Sequence, residues 1–169
     1  MKKVLFSTFL LLATTVVFSQ TKVGTIDVNY IMSKMPELQS INDSLVAYGN
    51  RLDKQINLEL DLYQQKLEDY QKNMESYTQE VLQEKQLEIL NLESNIAKLR
   101  QNAIQLIQIR EDELSRPLYE KIGKSLQKVA QAGNYTQVLA TDQNSNVVFI
   151  DDNYDLTLQV MQDLGLPLD

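Results

Sequence analysis

The apolar positions in the central part of this chain recur at steps of three and four residues. The first stripe comprises Ile41, Leu45, Tyr48, Leu52, Ile56, Leu60, Tyr63, Leu67, Tyr70, Met74, Tyr77 and Val81. A second stripe, interrupted once by Lys85, comprises Leu82, Ile89, Leu92, Ile96, Leu99, Ala103 and Leu106. Alternating steps of this kind predict coiled-coil seams. Residues 50–116 contain neither glycine nor proline, which cost about 1 and 3 kcal/mol in a helix interior. The pattern therefore predicts very long helices.

A hairpin of two antiparallel helices accounts for residues 37–130 better than one unbroken helix, which would exceed about 130 Å. We predict the tip of the hairpin at residues 73–80. There, Ser76 and Gln79 have the spacing of a weak capping box. Pro117 is predicted to kink the second helix, because it removes a hydrogen bond from the helix interior.

Shorter elements flank the hairpin and predict a small β-body. Residues 20–36 begin with a β-rich run and continue into a short helical turn. In residues 131–169, the pair Gly133-Asn134 is predicted to end the long helix. Two β-rich runs, 135–141 and 147–151, are separated by five polar residues and predict a β-hairpin. Asp155 is expected to cap a final helix over residues 156–164. The fold class is thus α+β, mostly α.

Three strands leave exposed edges and little buried area. We therefore expect the body to close its sheet against other copies of the chain.

The first residues have the composition of an export signal. Lys2 and Lys3 precede a short apolar run over residues 4–18, and small residues precede a cleavage point after Ser19. As a helix the run would span about 22 Å, short of the ~30 Å hydrocarbon core. Residues 1–19 are therefore predicted to be a cleaved signal peptide and the mature chain to be periplasmic. The alternative is an uncleaved anchor.

The charge balance is acidic. Sixteen basic and twenty-three acidic residues give a net charge of −7, and removal of Lys2 and Lys3 makes the mature chain more acidic. Nucleic-acid binding and adhesion to anionic lipid both need basic surface, so neither is expected. No further long apolar segment occurs, and stable membrane insertion is not predicted.

The residue inventory excludes several kinds of chemistry. The chain has no histidine and no cysteine, so thiol nucleophiles, Ser-His pairs and ordinary zinc sites are excluded. No phosphate-binding glycine motif occurs, and no cofactor or ATP use is predicted. Asp151-x-Asn153-x-Asp155 begins like a calcium loop but lacks its sixth-position glycine and final glutamate. We predict that the protein is not an enzyme and binds no metal. An exported enzyme using carboxylates alone, such as Glu111 and Asp151, is a remote alternative.

Tyr63, Tyr70 and Tyr77 fall seven residues apart on one helix face. One interpretation is packing against the second helix. The other is an apolar but hydrogen-bonding wall that contacts unfolded chains, because tyrosine offers a large area with little loss of entropy. The sequence leaves both interpretations open.

The arrangement of these segments resembles the Skp/OmpH family of periplasmic chaperones over the whole mature chain. The most specific parts of the resemblance are VGTIDVNYIM near the start, the segment at Pro117, and VVFIDDNYDLT near the end. The family fold is a homotrimer in which helical hairpins project from a shared β-body. The resemblance implies an ATP-independent holdase that binds unfolded outer-membrane β-barrel proteins and prevents their aggregation.

Two sets of residues follow from this resemblance. The expected client contacts are Tyr63, Tyr70, Met74, Tyr77, Leu90, Ala97 and Ile104. The expected trimer contacts in the body are Val23, Ile26, Val28, Val138, Leu139, Val148 and Ile150. One departure is that residues 63–95 hold three lysines against seven acidic residues, whereas the best-known members carry basic arms. Lipopolysaccharide and lipid binding are therefore not carried over. The alternative function is a coiled-coil scaffold of the cell envelope with a specific folded partner.

Overall fold

The computed structural model of the protein describes residues 21–141 and 147–168. The predicted signal peptide and the polar loop at 142–146 lie outside these residues. The elements, in chain order, are β1 (Val23–Ile26), α1 (Val28–Ser33), α2 (Glu37–Asn73), α3 (Gln79–Ala132), β2 (Gln137–Ala140), a 3-10 turn (Asp152–Tyr154) and α4 (Thr157–Asp163).

The described chain divides into two compact units. One, here called the body, contains the residues up to Ile31 and those from Lys124 onward. The other, here called the hairpin, is Met32–Gly123. Across the described residues no helix is long and apolar enough to cross a membrane.

The hairpin consists of two antiparallel helices: residues early in α2 pair with residues late in α3, and residues late in α2 pair with residues early in α3. Three ion pairs show this order: Glu37 with Lys121, Lys66 with Glu88 and Asp69 with Lys85. The interhelical core is formed by Ile56, Ile96 and Ala103, with Leu52, Leu60, Tyr63 and Leu99 packed around it. Every one of these residues belongs to a stripe predicted from the sequence.

The turn between the helices lies at residues 74–78, within the segment predicted for the tip. Thr78 begins α3, because its Oγ1 accepts a hydrogen bond from the Val81 backbone N–H at 3.4 Å. The capping box expected from Ser76 is wrong. The Ser76 hydroxyl instead donates to the Asn73 backbone oxygen at 2.7 Å and so closes the end of α2.

Helix α3 continues through Pro117 without interruption. Buried side chains lie on both sides of the proline, at Ser115 and Leu118, so packing on the flanks offsets the lost hydrogen bond. At the end of α3, Asn134 takes the left-handed conformation with φ 54°. The Tyr135 N–H bonds to the Ala130 oxygen at 2.9 Å, as in a Schellman motif. Asparagine, rather than Gly133, therefore supplies the positive φ.

In the body, β1 and β2 form a two-stranded parallel sheet, with Val23 opposite Gln137 and Ile26 opposite Ala140. The Thr25 carbonyl accepts from the Leu156 N–H at 2.9 Å. Because successive carbonyls of a strand point to opposite sides, β1 is bonded on both edges.

The predicted hairpin between residues 135–141 and 147–151 is not formed, because residues 147–151 are not in a strand. The side chains of Val148 and Phe149 are 101% and 82% exposed. The β-rich pattern indicates that the segment 147–151 has a high propensity for the β conformation. Within one chain, however, it gains no burial that would stabilise it as a strand. The described body therefore has two strands and not three.

The core of the body is built by β1, α1 and α4. Ile31, Leu156, Val160 and Met161 are fully buried, and Ile26 is almost so. Asp155 precedes α4 and its Oδ1 accepts from the Thr157 backbone N–H at 2.9 Å, which agrees with the helix start predicted there.

Candidate functional site

The residues expected to contact a client fall into two groups on the hairpin. The tyrosines at 63, 70 and 77 are half-buried. The other four side chains are exposed: Met74, Leu90, Ala97 and Ile104. The structure thus separates a set that the sequence treats as one surface.

Tyr63 and Tyr70 lie on the side of α2 that faces α3, and Tyr77 lies in the turn between the two helices. Tyr63 packs against the interhelical core. The Tyr70 hydroxyl accepts a hydrogen bond from Gln86 Nε2 at 2.6 Å, and the Tyr77 hydroxyl donates to Asp69 Oδ2 at 3.1 Å. Tyr63 thus packs within the hairpin and the hydroxyls of Tyr70 and Tyr77 bond within it, while contact of these side chains with a client stays a prediction.

Asp69 organises the polar contacts near the tip. Its carboxylate accepts hydrogen bonds from Lys85 Nζ at 2.8 Å, from Asn73 Nδ2 at 2.8 Å and from the Tyr77 hydroxyl. The hydrogen bond from Lys85, followed by that from Tyr77, lowers the pKa of Asp69. The same hydrogen bond raises the pKa of Lys85. Lys85, the residue that interrupts the second stripe, therefore joins the two helices where an apolar contact is missing.

The exposed apolar residues of α3 form a continuous stripe. Leu87, Leu90 and Ile104 are 62%, 58% and 62% exposed, and Ala97 lies one heptad from both Leu90 and Ile104. Successive helix residues are offset by about 100°. The stripe at 90, 97 and 104 therefore points roughly 130° away from the α3 residues that face α2. We call Leu87, Leu90, Ala97 and Ile104 the outer stripe.

Helix α2 carries exposed leucines that were not among the expected contacts. Leu58 and Leu62 are 69% and 39% exposed and lie nearly opposite Ile56, the core residue of that helix. Their spacing of four residues, out of phase with the seam, was visible in the sequence. A second apolar phase on a helix indicates a second contact surface.

Shallow grooves accompany these surfaces. One, of about 260 Å³, is lined by Leu60, Tyr63, Glu93, Ile96, Ala97 and Arg100. Another, of about 400 Å³, is lined by Glu84, Leu87, Glu88, Asn91, Leu92 and Asn95. Open apolar grooves suit extended chains better than small molecules, whose sites are concave and enclosing. The part of the chain that the structure describes contains no cluster of three or more acidic side chains able to hold a metal ion.

A family model described as "Outer membrane protein (OmpH-like)" matches residues 22–164. The chain belongs to the OmpH-like family. A crystal structure of a protein described as an outer membrane chaperone (OmpH-like) from Caulobacter crescentus CB15 has a similar fold. The two share 12% identity with a TM-score of 0.64, over 86% of this chain and 85% of that chain. No curated protein sequence matches the chain.

Membership of the OmpH-like family confirms the predicted fold class, a coiled-coil hairpin with a small strand body. OmpH-like proteins are periplasmic chaperones and not enzymes.

The residues expected to form the trimer of an OmpH-like body differ in exposure. Ile26 is 2% exposed and belongs to the core of its own chain, while Val28 and Val138 are half-buried. The remaining four are exposed: Val23, Leu139, Val148 and Ile150. Phe149, which the sequence analysis did not select, is also exposed.

Proposed function

We propose that this protein is an ATP-independent periplasmic holdase that binds unfolded outer-membrane β-barrel proteins and prevents their aggregation. The observation that carries the proposal is the outer stripe of α3, an apolar surface without a partner among the described residues. Membership of a chaperone family supports the same conclusion. In this proposal residues 1–19 direct export and are removed.

The physical chemistry of the client fits such a surface. An unfolded barrel chain alternates apolar and polar residues and exposes unpaired strand edges. A fully buried leucine contributes about 1.5–3 kcal/mol, and a side chain that is only partly covered contributes less. Several such contacts on an open helix hold a client without fixing one conformation, and their individual weakness allows release without ATP.

The proposed client contacts are fewer than those expected from the sequence. Met74, Leu90, Ala97 and Ile104 are the proposed client contacts. Tyr63, Tyr70 and Tyr77, whose packing and hydroxyl hydrogen bonds lie within the hairpin, are proposed to act through its shape.

Assembly into a homotrimer is part of the proposal. Helix and strand pairing leave Val23, Leu139, Val148 and Ile150 exposed on the body. Exposed apolar side chains on one unit are what an interface between copies would cover. Sedimentation of the mature chain should give the mass of three copies, and Val148→Asp should shift it toward one copy.

The principal test is dilution of a urea-unfolded outer-membrane β-barrel protein into residues 20–169, followed by light scattering without nucleotide. We expect aggregation to be suppressed, with saturation near one trimer per client. The variant L90S/I104S should weaken suppression severalfold while its melting temperature stays unchanged, since both side chains are exposed.

Leu158→Ser is the matched control, because Leu158 is 55% exposed but lies on α4 of the body. Undiminished aggregation in the presence of well-folded protein would contradict the holdase and favour the scaffold alternative. An effect of Leu158→Ser equal to that of the stripe variant would contradict the assignment of the surface.

A further inference from the structure

The part of the outer stripe nearest the tip differs from the rest in charge. Residues 73–97 contain five glutamates and one basic residue, Lys85. Lys85 is already paired with Asp69, and Lys66 on α2 pairs with Glu88 at 2.6 Å. Lys85 and Lys66 are therefore both held in ion pairs, and of the five glutamates only Glu88 is paired within the part of the chain that the structure describes.

Two carboxylates border an apolar groove on α3: Glu84, which has no ion pair among the described residues, and Glu88, which pairs with Lys66. Leu87 and Leu92 line it together with Glu84, Glu88, Asn91 and Asn95. Glu80, Glu84, Leu87 and Asn91 follow each other at steps of four, three and four, which places them on one face of α3. All four are exposed. Two carboxylates, a leucine and an amide thus follow one another along a single exposed ridge.

We propose that this ridge, residues 80–91 of α3, selects client segments in which basic and apolar residues alternate. The inference rests on the proposed holdase function and names the class of client segment that the hairpin prefers. Charge complementarity identifies the occupant: the ridge offers apolar area with negative charge, so a cationic extended chain is attracted and an acidic one is repelled.

The dimensions of an extended chain match the ridge. Side chains on one face of a strand repeat about every 6.7 Å, and helix positions three or four apart are separated by about 4.5–6 Å along the axis. From Glu80 to Asn91 the ridge spans about 16 Å, which roughly five extended residues cover. Because the side chains of a strand alternate between its two faces, a segment lying edge-on along α3 directs its basic side chains to one side, toward Glu80 and Glu84, and its apolar side chains to the other side, toward Leu90.

The test compares two fluorescent peptides with the same length and the same alternating valines. One carries lysine at the intervening positions and the other carries glutamate. Fluorescence anisotropy with the complete mature protein should show tighter binding of the lysine peptide by about tenfold or more. The preference should shrink as NaCl rises from about 0.05 M to about 0.5 M, because salt screens exposed charges.

Variants then locate the preference. E80Q/E84Q should weaken binding of the lysine peptide about three- to tenfold and leave the glutamate peptide unchanged or slightly tighter. The matched control is E111Q/D112N, which removes the same charge at two exposed positions farther along α3 and should have no effect. Leu87→Ser should weaken both peptides alike, since it removes area and not charge.

Each outcome distinguishes the inference from the function on which it rests. If the protein suppresses barrel aggregation but binds both peptides with equal affinity, the inference is overturned and the holdase function stands. The same holds if E80Q/E84Q and E111Q/D112N have equal effects on peptide binding. Failure to bind either peptide or the unfolded barrel overturns both. A change in the sedimentation of E80Q/E84Q alone would show that copies of the chain cover the ridge, and would also overturn the inference.

Discussion

The body and the hairpin bury their apolar side chains to different depths. In the body, Ile31, Leu156, Val160 and Met161 are 0% exposed. Along most of the hairpin, the buried interhelical side chains Ile56, Ile96 and Ala103 keep 5–9% of their surface, and exposure falls to 4% and 2% only at Leu118 and Ile122, near the end of this unit. The same helices expose Leu58, Leu87 and Ile104 by more than 60%. Two paired helices bury side chains only along the narrow seam between them, whereas β1, α1 and α4 together surround the core side chains of the body.

This difference indicates how each region keeps its structure. The body depends on close packing, so a lost side chain leaves a cavity. The hairpin depends on many modest contacts repeated along its length, with ion pairs where apolar contacts are missing. A region of the second kind can leave apolar surface exposed, because its fold does not require that surface to be covered.

The largest effect expected from this comparison is in the body. Leu156→Ala removes a fully buried side chain and should lower the free energy of unfolding by about 3 kcal/mol. Leu158→Ala, two residues away on α4 but 55% exposed, should change it by less than about 0.5 kcal/mol. Urea denaturation of both variants measures the difference. Equal midpoints would show that burial in the body does not have the importance assigned to it here.

A smaller effect is expected in the hairpin. Ile96→Ala, at 5% exposure, should cost about 2 kcal/mol, toward the low end for such truncations, because the thin seam can partly collapse. Ile104→Ala on the outer stripe should be nearly neutral for unfolding while weakening client binding. Urea denaturation and light scattering of the same two variants measure both. If Ile104→Ala destabilised the fold as much as Ile96→Ala, the outer stripe would be part of the core.

The hairpin was largely predictable from the sequence, and the tertiary pairing of the body was not. Steps of three and four residues specify which face of a helix is apolar, so Ile56 and Ile96 could be placed in a seam. The same steps could not tell whether Tyr70 and Tyr77 faced the seam or solvent. That depended on Gln86 and Asp69, polar partners outside the apolar pattern.

In the body, the β-rich run at residues 147–151 indicated a strand but not its partner. Pairing of β1 with β2, more than a hundred residues apart, is a non-local contact that no local pattern specifies. Asn134 was identified as part of a helix end, but its positive φ became evident only from the Schellman hydrogen bonds. Leu58 and Leu62 form a second apolar phase on α2, and the alternating steps of three and four residues that define the seam do not include them.

Two glycines, Gly24 of the body and Gly123 at the end of the hairpin, differ in the space around them. A Cβ at Gly24 would lie 2.9 Å from Tyr135 Cδ1, so Gly24→Ala must displace that ring and should cost about 1–2 kcal/mol. Lys22 Nζ lies 3.9 Å from the centre of the same ring, which limits its movement. Gly123, inside α3, has nothing within 4 Å of its added Cβ. Gly123→Ala should therefore stabilise by about 0.5–1 kcal/mol. Thermal melts that moved in the same direction for both variants would contradict this assignment.

The smallest effect is expected at the tip, where a polar contact substitutes for packing. Because its pKa is lowered in the folded chain, Asp69 contributes stability above its unfolded pKa of about 4, which is lost as the pH falls through the folded value. Because its pKa is raised, Lys85 contributes stability below its unfolded pKa of about 10.4, which is lost as the pH rises through the folded value. Cα chemical shifts of residues 69–88 should therefore report fraying at both extremes of pH. Asp69→Asn should reduce the change in these chemical shifts at both acidic and alkaline pH. Asp61→Asn, which alters an exposed carboxylate on the same helix, should leave both changes intact. Unaltered pH dependence in Asp69→Asn would show that apolar packing alone closes the tip.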